Sequence, residues 1–145
     1  MTITGQWPRP PGAIEDFLTA CTRCDDCIVA CPPGAIGRLN DGTPAMDPNL
    51  VACTLCPDTP CITACTEGAL LPVEPELIFF GLARIQEDKC FVFRGPECGA
   101  CKWACPIGAL TLELTRPVID SDVCNGCGLC REACPVHDKA IVVDM

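Results

Sequence analysis

"CNGCGLCREACP", residues 124–135, places Cys124, Cys127, Cys130 and Cys134 within a short run and follows the last with Pro135. Gaps of two, two and three keep the four sulfurs on one tightly curled stretch, too close together for each to find a separate distant cysteine. They must share something. The same gaps recur in "CTRCDDCIVACP", which carries Cys21, Cys24, Cys27 and Cys31. Two further groups vary the pattern. Cys53, Cys56, Cys61 and Cys65 lie in "CTLCPDTPCITAC", where the middle gap has grown to four and Thr66 stands in place of the proline. Cys90, Cys98, Cys101 and Cys105 open with a gap of seven in "CFVFRGPEC" and close on "CKWACP". The four groups use all 16 cysteines of the 145-residue chain, which therefore reads as an internal repeat.

Three chemistries compete for such groups. Disulfides need cysteines spread through loops so that distant partners meet at the required spacing, and four near-identical clusters fit that badly. Zinc takes two cysteines from each of two Cys-x2-Cys knuckles and has no use for a third at the next gap of two. The run C-x2-C-x2-C-x3-C-P is the bacterial 4Fe–4S signature, in which three cysteines hold one cluster and the fourth ligates the other cluster of a pair. The sequence thus predicts four 4Fe–4S clusters held by all sixteen cysteines.

Composition agrees with an inorganic core. With five Phe, two Trp and no Tyr, an ordinary aromatic-rich core is not expected. The formal net charge of −9 makes nucleic acid a poor partner. The most apolar stretch, "LIFFGLARI" (77–85), is too short to span a bilayer and contains Arg84. The opening "MTITGQWPRPPGAIEDF" shows no basic n-region, apolar h-region or twin arginine, so the expected compartment is the reducing cytoplasm, free or peripheral to a membrane complex.

The linkers 32–52, 66–89 and 106–123 each begin with an apolar stretch ("PPGAIGRL", "TEGALLPV", "PIGALTLEL"). Each then carries a turn signal and a second short extended stretch. Each is expected to form a small β-hairpin, and "KAIVVDM" a last strand. The residues between third and fourth cysteines make single helical turns. Residues 1–20 form an N-terminal extension in which Pro11 precedes Ile14, Phe17 and Leu18 at helical spacing, so a short helix is expected to replace a strand there. The fold class is α+β: a bacterial ferredoxin-like unit over 21–145 with motifs at 21–31, 53–65, 90–105 and 124–134, built as two dicluster lobes of short hairpins and helices. Such hairpins bury too little surface to offset the entropy of ordering the chain, so the clusters must supply the core and the apoprotein is expected to be largely unfolded.

"PPGAIEDFLTACTRC", "CTLCPDTPCITAC", "CFVFRGPECGACKWACP" and "DSDVCNGCGLC" together resemble the four-cluster ferredoxin-type proteins of the periplasmic nitrate reductase and methylamine utilisation systems. The similarity covers nearly the whole chain. It extends, less specifically, to the electron-transfer subunits of molybdopterin oxidoreductases. Many exported relatives begin with a twin-arginine signal that this chain lacks. The resemblance implies electron transfer between redox proteins, with a molybdoenzyme or a multisubunit oxidoreductase as partner. It also implies an alternative, an accessory role in assembling a molybdoenzyme or other iron–sulfur enzyme.

Groups one and four share their gaps, and groups two and three are the expanded ones, which suggests a nested fold with one paired to four and two to three. The molybdoenzyme subunits are arranged this way, as the resemblance implies, although the linkers permit a tandem pairing equally well. In the nested form Cys21, Cys24 and Cys27 share a cluster with Cys134, and Cys124, Cys127 and Cys130 share one with Cys31. Likewise Cys53, Cys56 and Cys61 take Cys105, and Cys90, Cys98 and Cys101 take Cys65.

Each cubane exchanges one electron at a potential within roughly −700 to +450 mV, set by charge, hydrogen bonds to sulfur and solvent exposure. Backbone amides around Gly99, Gly126 and Gly128 are candidate donors to sulfur, the alternative being glycines needed only for the turn. His137, the only histidine, reads as a surface residue. Trp103 reads as a shield for a cluster, and "LIFF" as a buried strand with one ring left over for partner contact. Asp25, Asp26, Asp58 and Glu97 could steer a basic partner. No phosphate loop, GxGxxG, flavin motif or catalytic triad is present, so the chain is expected to be a carrier and not an enzyme.

Overall fold

The computed structural model describes residues 7–145, so the first six residues of the N-terminal extension lie outside it. Five helices, none beyond five residues, are α1 (Phe17–Ala20), α2 (Asp26–Ala30), α3 (Pro60–Ala64), α4 (Ala100–Ala104) and α5 (Leu129–Ala133). The last four are one construction used four times. Before each sits a residue in the left-handed region, Asp25 at φ 70°, Thr59 at 39°, Gly99 at 116° and Gly128 at 88°, which turns the chain sharply into the helix. The group's third cysteine lies in that helix and its fourth caps the end in an extended conformation, so the chain leaves as a strand.

Two of the three expected hairpins form. β1 (Ile36–Arg38) pairs antiparallel with β2 (Pro44–Met46), Ile36 opposite Met46. Their turn is fixed by Asp41, whose Oδ1 accepts from the Thr43 N–H at 2.9 Å and from its hydroxyl at 2.5 Å. β4 (Leu110–Glu113) pairs with β5 (Arg116–Ile119) through Leu114 and Thr115, both at positive φ as a two-residue hairpin turn requires.

The linker 66–89 is not a hairpin. β3 (Leu82–Ile85) pairs instead with β6 (Ile141–Asp144), Leu82 opposite Asp144 and Ile85 opposite Ile141. The other end of that linker turns back on the N-terminal segment. Ala13 bridges Leu70, the Ile14 N–H donates to the Ala69 carbonyl at 3.1 Å, and the Leu71 N–H donates to the Gly12 carbonyl at 2.9 Å. The segment before group one therefore supplies both a strand-like pairing and the single turn α1; the helix does not replace the strand. Each lobe has one hairpin and one pair joining its two chain ends, the first lobe around groups one and two, the second around groups three and four.

The "LIFF" run likewise departs from a strand. Pro75–Leu77 make a 3-10 turn, after which side chains alternate: Ile78 and Phe80 are buried, whereas Leu77 and Phe79 are 71% and 63% exposed. Phe17, Ile36, Met46, Ile62, Leu70, Ile78 and Phe80 form the first core, together with Cys27, Cys53, Cys61 and Cys127. A smaller core holds Leu110, Cys130 and Ile141, with Ile85 and Ile119 packed against it, and Cys134 packs with Val136 and Ala140. Cysteine thus takes the place that large apolar side chains fill in most domains of this size.

The lobes meet along a seam of backbone contacts. The Phe80 N–H donates to the Asn125 carbonyl at 2.7 Å. Asn49 donates through Nδ2 to the Val143 carbonyl (2.9 Å) and accepts at Oδ1 from the Val143 N–H (2.8 Å). Arg131 Nε reaches the Asn49 carbonyl at 3.0 Å, and the Ala52 N–H donates to Glu132 Oε2 at 3.2 Å. Gly126 and Gly128 admit this approach: a Cβ on Gly126 would lie 2.5 Å from the Gly81 carbonyl oxygen, and one on Gly128 2.5 Å from that of Pro48. Among the described residues no helix is long and apolar enough to cross a membrane.

Candidate metal centres

The one-turn helices bring the thiols together in fours. Cys21, Cys24 and Cys27 border a cavity with Cys65, against Phe17 and Leu70. Cys53, Cys56 and Cys61 border a second with Cys31, against Ile36, Met46 and Ile78. Cys90, Cys98 and Cys101 border a third with Cys134, against Ile85, Val136 and Ile141. Cys127 has Cys105 and Cys124 among its nearest charged neighbours, and Cys130 has Cys127 and Cys124, which makes a fourth group. α2 runs from a thiol of the first cavity to one of the second and α3 runs back; α4 and α5 link the third and fourth in the same way.

This grouping is tandem and differs from the nested expectation in all four fourth-position thiols. Cys134 lies with group three and Cys31 with group two, while Cys105 lies with group four and Cys65 with group one. The physical reason is the strand pairing. With β3 bound to β6, groups three and four are clamped together, and the bridge between Ala13 and Leu70 does the same for groups one and two.

The donor set fits a polynuclear iron–sulfur group. Each group is four soft thiols, and in the three that border cavities the rest of the lining is mostly apolar. Among the described residues no three His, Cys, Asp or Glu side chains converge as a single ion would require. Backbone donors face sulfur: the Ala35 N–H lies 3.3 Å from Cys31 Sγ, that of Ala140 3.4 Å from Cys134 Sγ, and that of Ala83 3.5 Å from Cys124 Sγ. Burial pushes the Cys27, Cys53 and Cys101 thiols up to about 11 and Cys130 to about 12, and neighbouring sulfurs add to the rise. The N–H groups of Ile28, Leu55, Lys102 and Arg131 oppose it. Four thiolates that repel one another in an apolar pocket need a cationic centre to coexist.

The glycines of group four serve close backbone approach at the seam, and the N–H groups of Leu129 and Arg131, just beyond Gly128, are the ones directed at Cys127 and Cys130. His137 is exposed, as are Asp26, Asp58 and Glu97, whereas Asp25 is half-buried and paired with Arg38. Trp103 shields nothing: it is 82% exposed, with the Lys102 ammonium 5.0 Å from its ring centroid. Sequence reasoning missed the seam residues. Asn125, buried, accepts the Cys127 N–H at its Oδ1 (3.1 Å), and an Asn in a two-residue gap is a signal for such a local bond. Asn49 carried no signal, because its partner Val143 is a long-range contact.

Family models described as "4Fe-4S binding domain" match residues 115–136, and residues 21–35 and 97–109. The ferredoxin-type protein NapG of Escherichia coli is 37% identical over 93% of this chain and 69% of its own length. The methylamine utilization ferredoxin-type protein MauM of Paracoccus denitrificans is 36% identical over 82% of this chain and 62% of its own length, and the ferredoxin-type protein NapF of Escherichia coli 33% identical over 86% and 82%. Against MauM the chain thus spans less than two thirds of the relative. Thiols grouped in fours and joined in pairs by one-turn helices, and a 37% identity to NapG over 93% of this chain's length, make it a member of the ferredoxin-type 4Fe–4S protein family.

Proposed function

We propose that the chain holds four 4Fe–4S clusters and carries electrons singly between redox proteins, with no substrate reaction of its own. The observation that carries this reading is the gathering of all sixteen cysteines in four separate groups of four, three of them lining cavities and the fourth marked by Cys105 and Cys124 beside Cys127. Cys21, Cys24, Cys27 and Cys65 would hold one cluster and Cys53, Cys56, Cys61 and Cys31 a second. Cys90, Cys98, Cys101 and Cys134 would hold a third, and Cys124, Cys127, Cys130 and Cys105 a fourth. When bound, each cluster supplies a one-electron couple with little change in shape. The chain's own residues tune it: N–H groups of Ala35, Ala83 and Ala140 aimed at sulfur favour the more negative, reduced state, and the apolar linings of Ile36, Met46 and Ile141 exclude water. Its partners are redox proteins, with a molybdoenzyme or a multisubunit oxidoreductase proposed from the family likeness. The test is anaerobic purification with iron and acid-labile sulfide counted. Four clusters that survive repeated dithionite reduction and reoxidation support the carrier. Zinc in place of iron overturns it, and preferential loss of one cluster to an apo-partner favours an assembly role.

A further inference from the structure

The two lobes touch at the cysteines in one place. Among the described residues, a single hydrogen bond joins cysteine to cysteine across the seam: the Cys53 N–H donates to the Cys127 carbonyl at 2.9 Å. Cys53 belongs to the second cage and Cys127 to the fourth, and Cys127 packs within the first lobe's core. Within each lobe the cages are neighbours through shared one-turn helices, first with second and third with fourth. A second, independent feature agrees. Of all 16 cysteines only Cys24 and Cys98 are exposed, one in the first cage and one in the third.

Resting on the four-cluster reading, we propose that the cages form a single series in space, first–second–fourth–third, which differs from their order in sequence. Electrons cross between lobes only at the Cys53–Cys127 contact, and one-electron protein donors and acceptors meet the chain at its Cys24 and Cys98 ends. The crossing oxidises the cluster held by Cys53 by one electron and reduces that held by Cys127 by one, with no proton moved; a reduced protein donor at one end and an oxidised protein acceptor at the other complete the balance. Asn49 is a positioning residue for this step. It touches no thiol, yet its side chain closes a two-way bond with Val143 and its carbonyl takes the Arg131 guanidinium, which fixes α5 and β6 against the segment leading into Cys53.

The order is tested by low-temperature EPR of the fully reduced holoprotein, in which neighbouring paramagnetic clusters split one another's signals. Emptying the second cage with Cys53→Ala and Cys56→Ala is expected to leave one isolated, unsplit signal from the first cage beside a coupled pair. Emptying the third with Cys90→Ala and Cys98→Ala is expected to leave three coupled centres and no isolated one. The reverse pattern overturns the order. Asn49→Ala keeps every thiol, so it tests the crossing even if a cysteine variant fails to fold. Iron and sulfide content is expected to stay at the wild-type level while the splitting between lobes narrows, and an unchanged splitting overturns the role of the seam. Fewer than four clusters in the wild type overturns the underlying reading and the order with it; four clusters with the wrong splittings overturn the order alone.

Discussion

Gly126→Ala and Gly68→Ala form a matched pair that weighs the seam between the lobes. The two glycines have the same backbone conformation, φ +76° and +75°, so an added methyl meets the same left-handed strain, about 1–2 kcal/mol, at both. They differ in surroundings. A Cβ on Gly68 has nothing within 4 Å, whereas one on Gly126 would sit 2.5 Å from the Gly81 carbonyl oxygen and 2.6 Å from its carbonyl carbon and nitrogen. Those are backbone atoms that no rotamer change can move, so the overpacking adds about 1–3 kcal/mol at Gly126 alone. If the seam opens before the slow step of unfolding, that difference is roughly a 5- to 150-fold faster loss of clusters from Gly126→Ala. The assay is the decay of visible cluster absorbance in guanidinium under anaerobic conditions, compared between the variants and the wild type. Equal decay rates for the two variants would refute the reasoning, because they would show that the close approach of Gly126 to Gly81 does not hold the lobes together.

Other outcomes follow from single features. Hydrogen bonds from the Thr43 hydroxyl and N–H hold the Asp41 carboxyl below the usual carboxylate range, so its contribution to stability is complete above the unfolded value and is lost as pH falls through the lowered folded one. Asp41→Asn should therefore flatten the acid limb of a stability–pH curve, and an unchanged limb would rule Asp41 out. Thiols of the unfolded apoprotein are protonated at neutral pH and bind iron only as thiolates, so reconstitution with iron and sulfide should release protons and proceed more readily as pH rises; calorimetry in buffers of different ionisation heat checks this. Trp103→Ala, at an exposed site, should change stability by no more than about 0.5 kcal/mol and leave cluster content intact. A large loss of cluster would restore the shielding role that the structure removes.

What could be read from the sequence was local, and what could not was long-range. The four cysteine groups, their one-turn helices and the hairpins at 32–52 and 106–123 all depend on residues a few positions apart, and the structure contains each. The linker 66–89 carried the same composition as the other two and read as a third hairpin. Its strand Leu82–Ile85 finds its partner at Ile141–Asp144 instead, and no local pattern announces such a match. The wrong pairing of groups has the same origin: equal gaps in one and four reflect equal local wrapping, and say nothing about which helix packs beside which. The exposure of Trp103 was hidden for a related reason, since the position between a group's third and fourth cysteines faces outward on a one-turn helix whatever residue fills it; Val29 stands at the equivalent place in α2 and is exposed too.

The strand pairings also set a timetable for biosynthesis. Gly12–Ile14 can meet Ala69–Leu71 before groups three and four have been made, so on the four-cluster reading both cages of that lobe can be loaded while translation continues. The other lobe has no such early start. β3 must wait for Ile141–Asp144, and until then the thiols from Cys90 onward are open to oxidants and stray metals. On the four-cluster reading, a ribosome stalled near residue 140 would therefore hold a chain with its first pair of cages closed and its second pair still open.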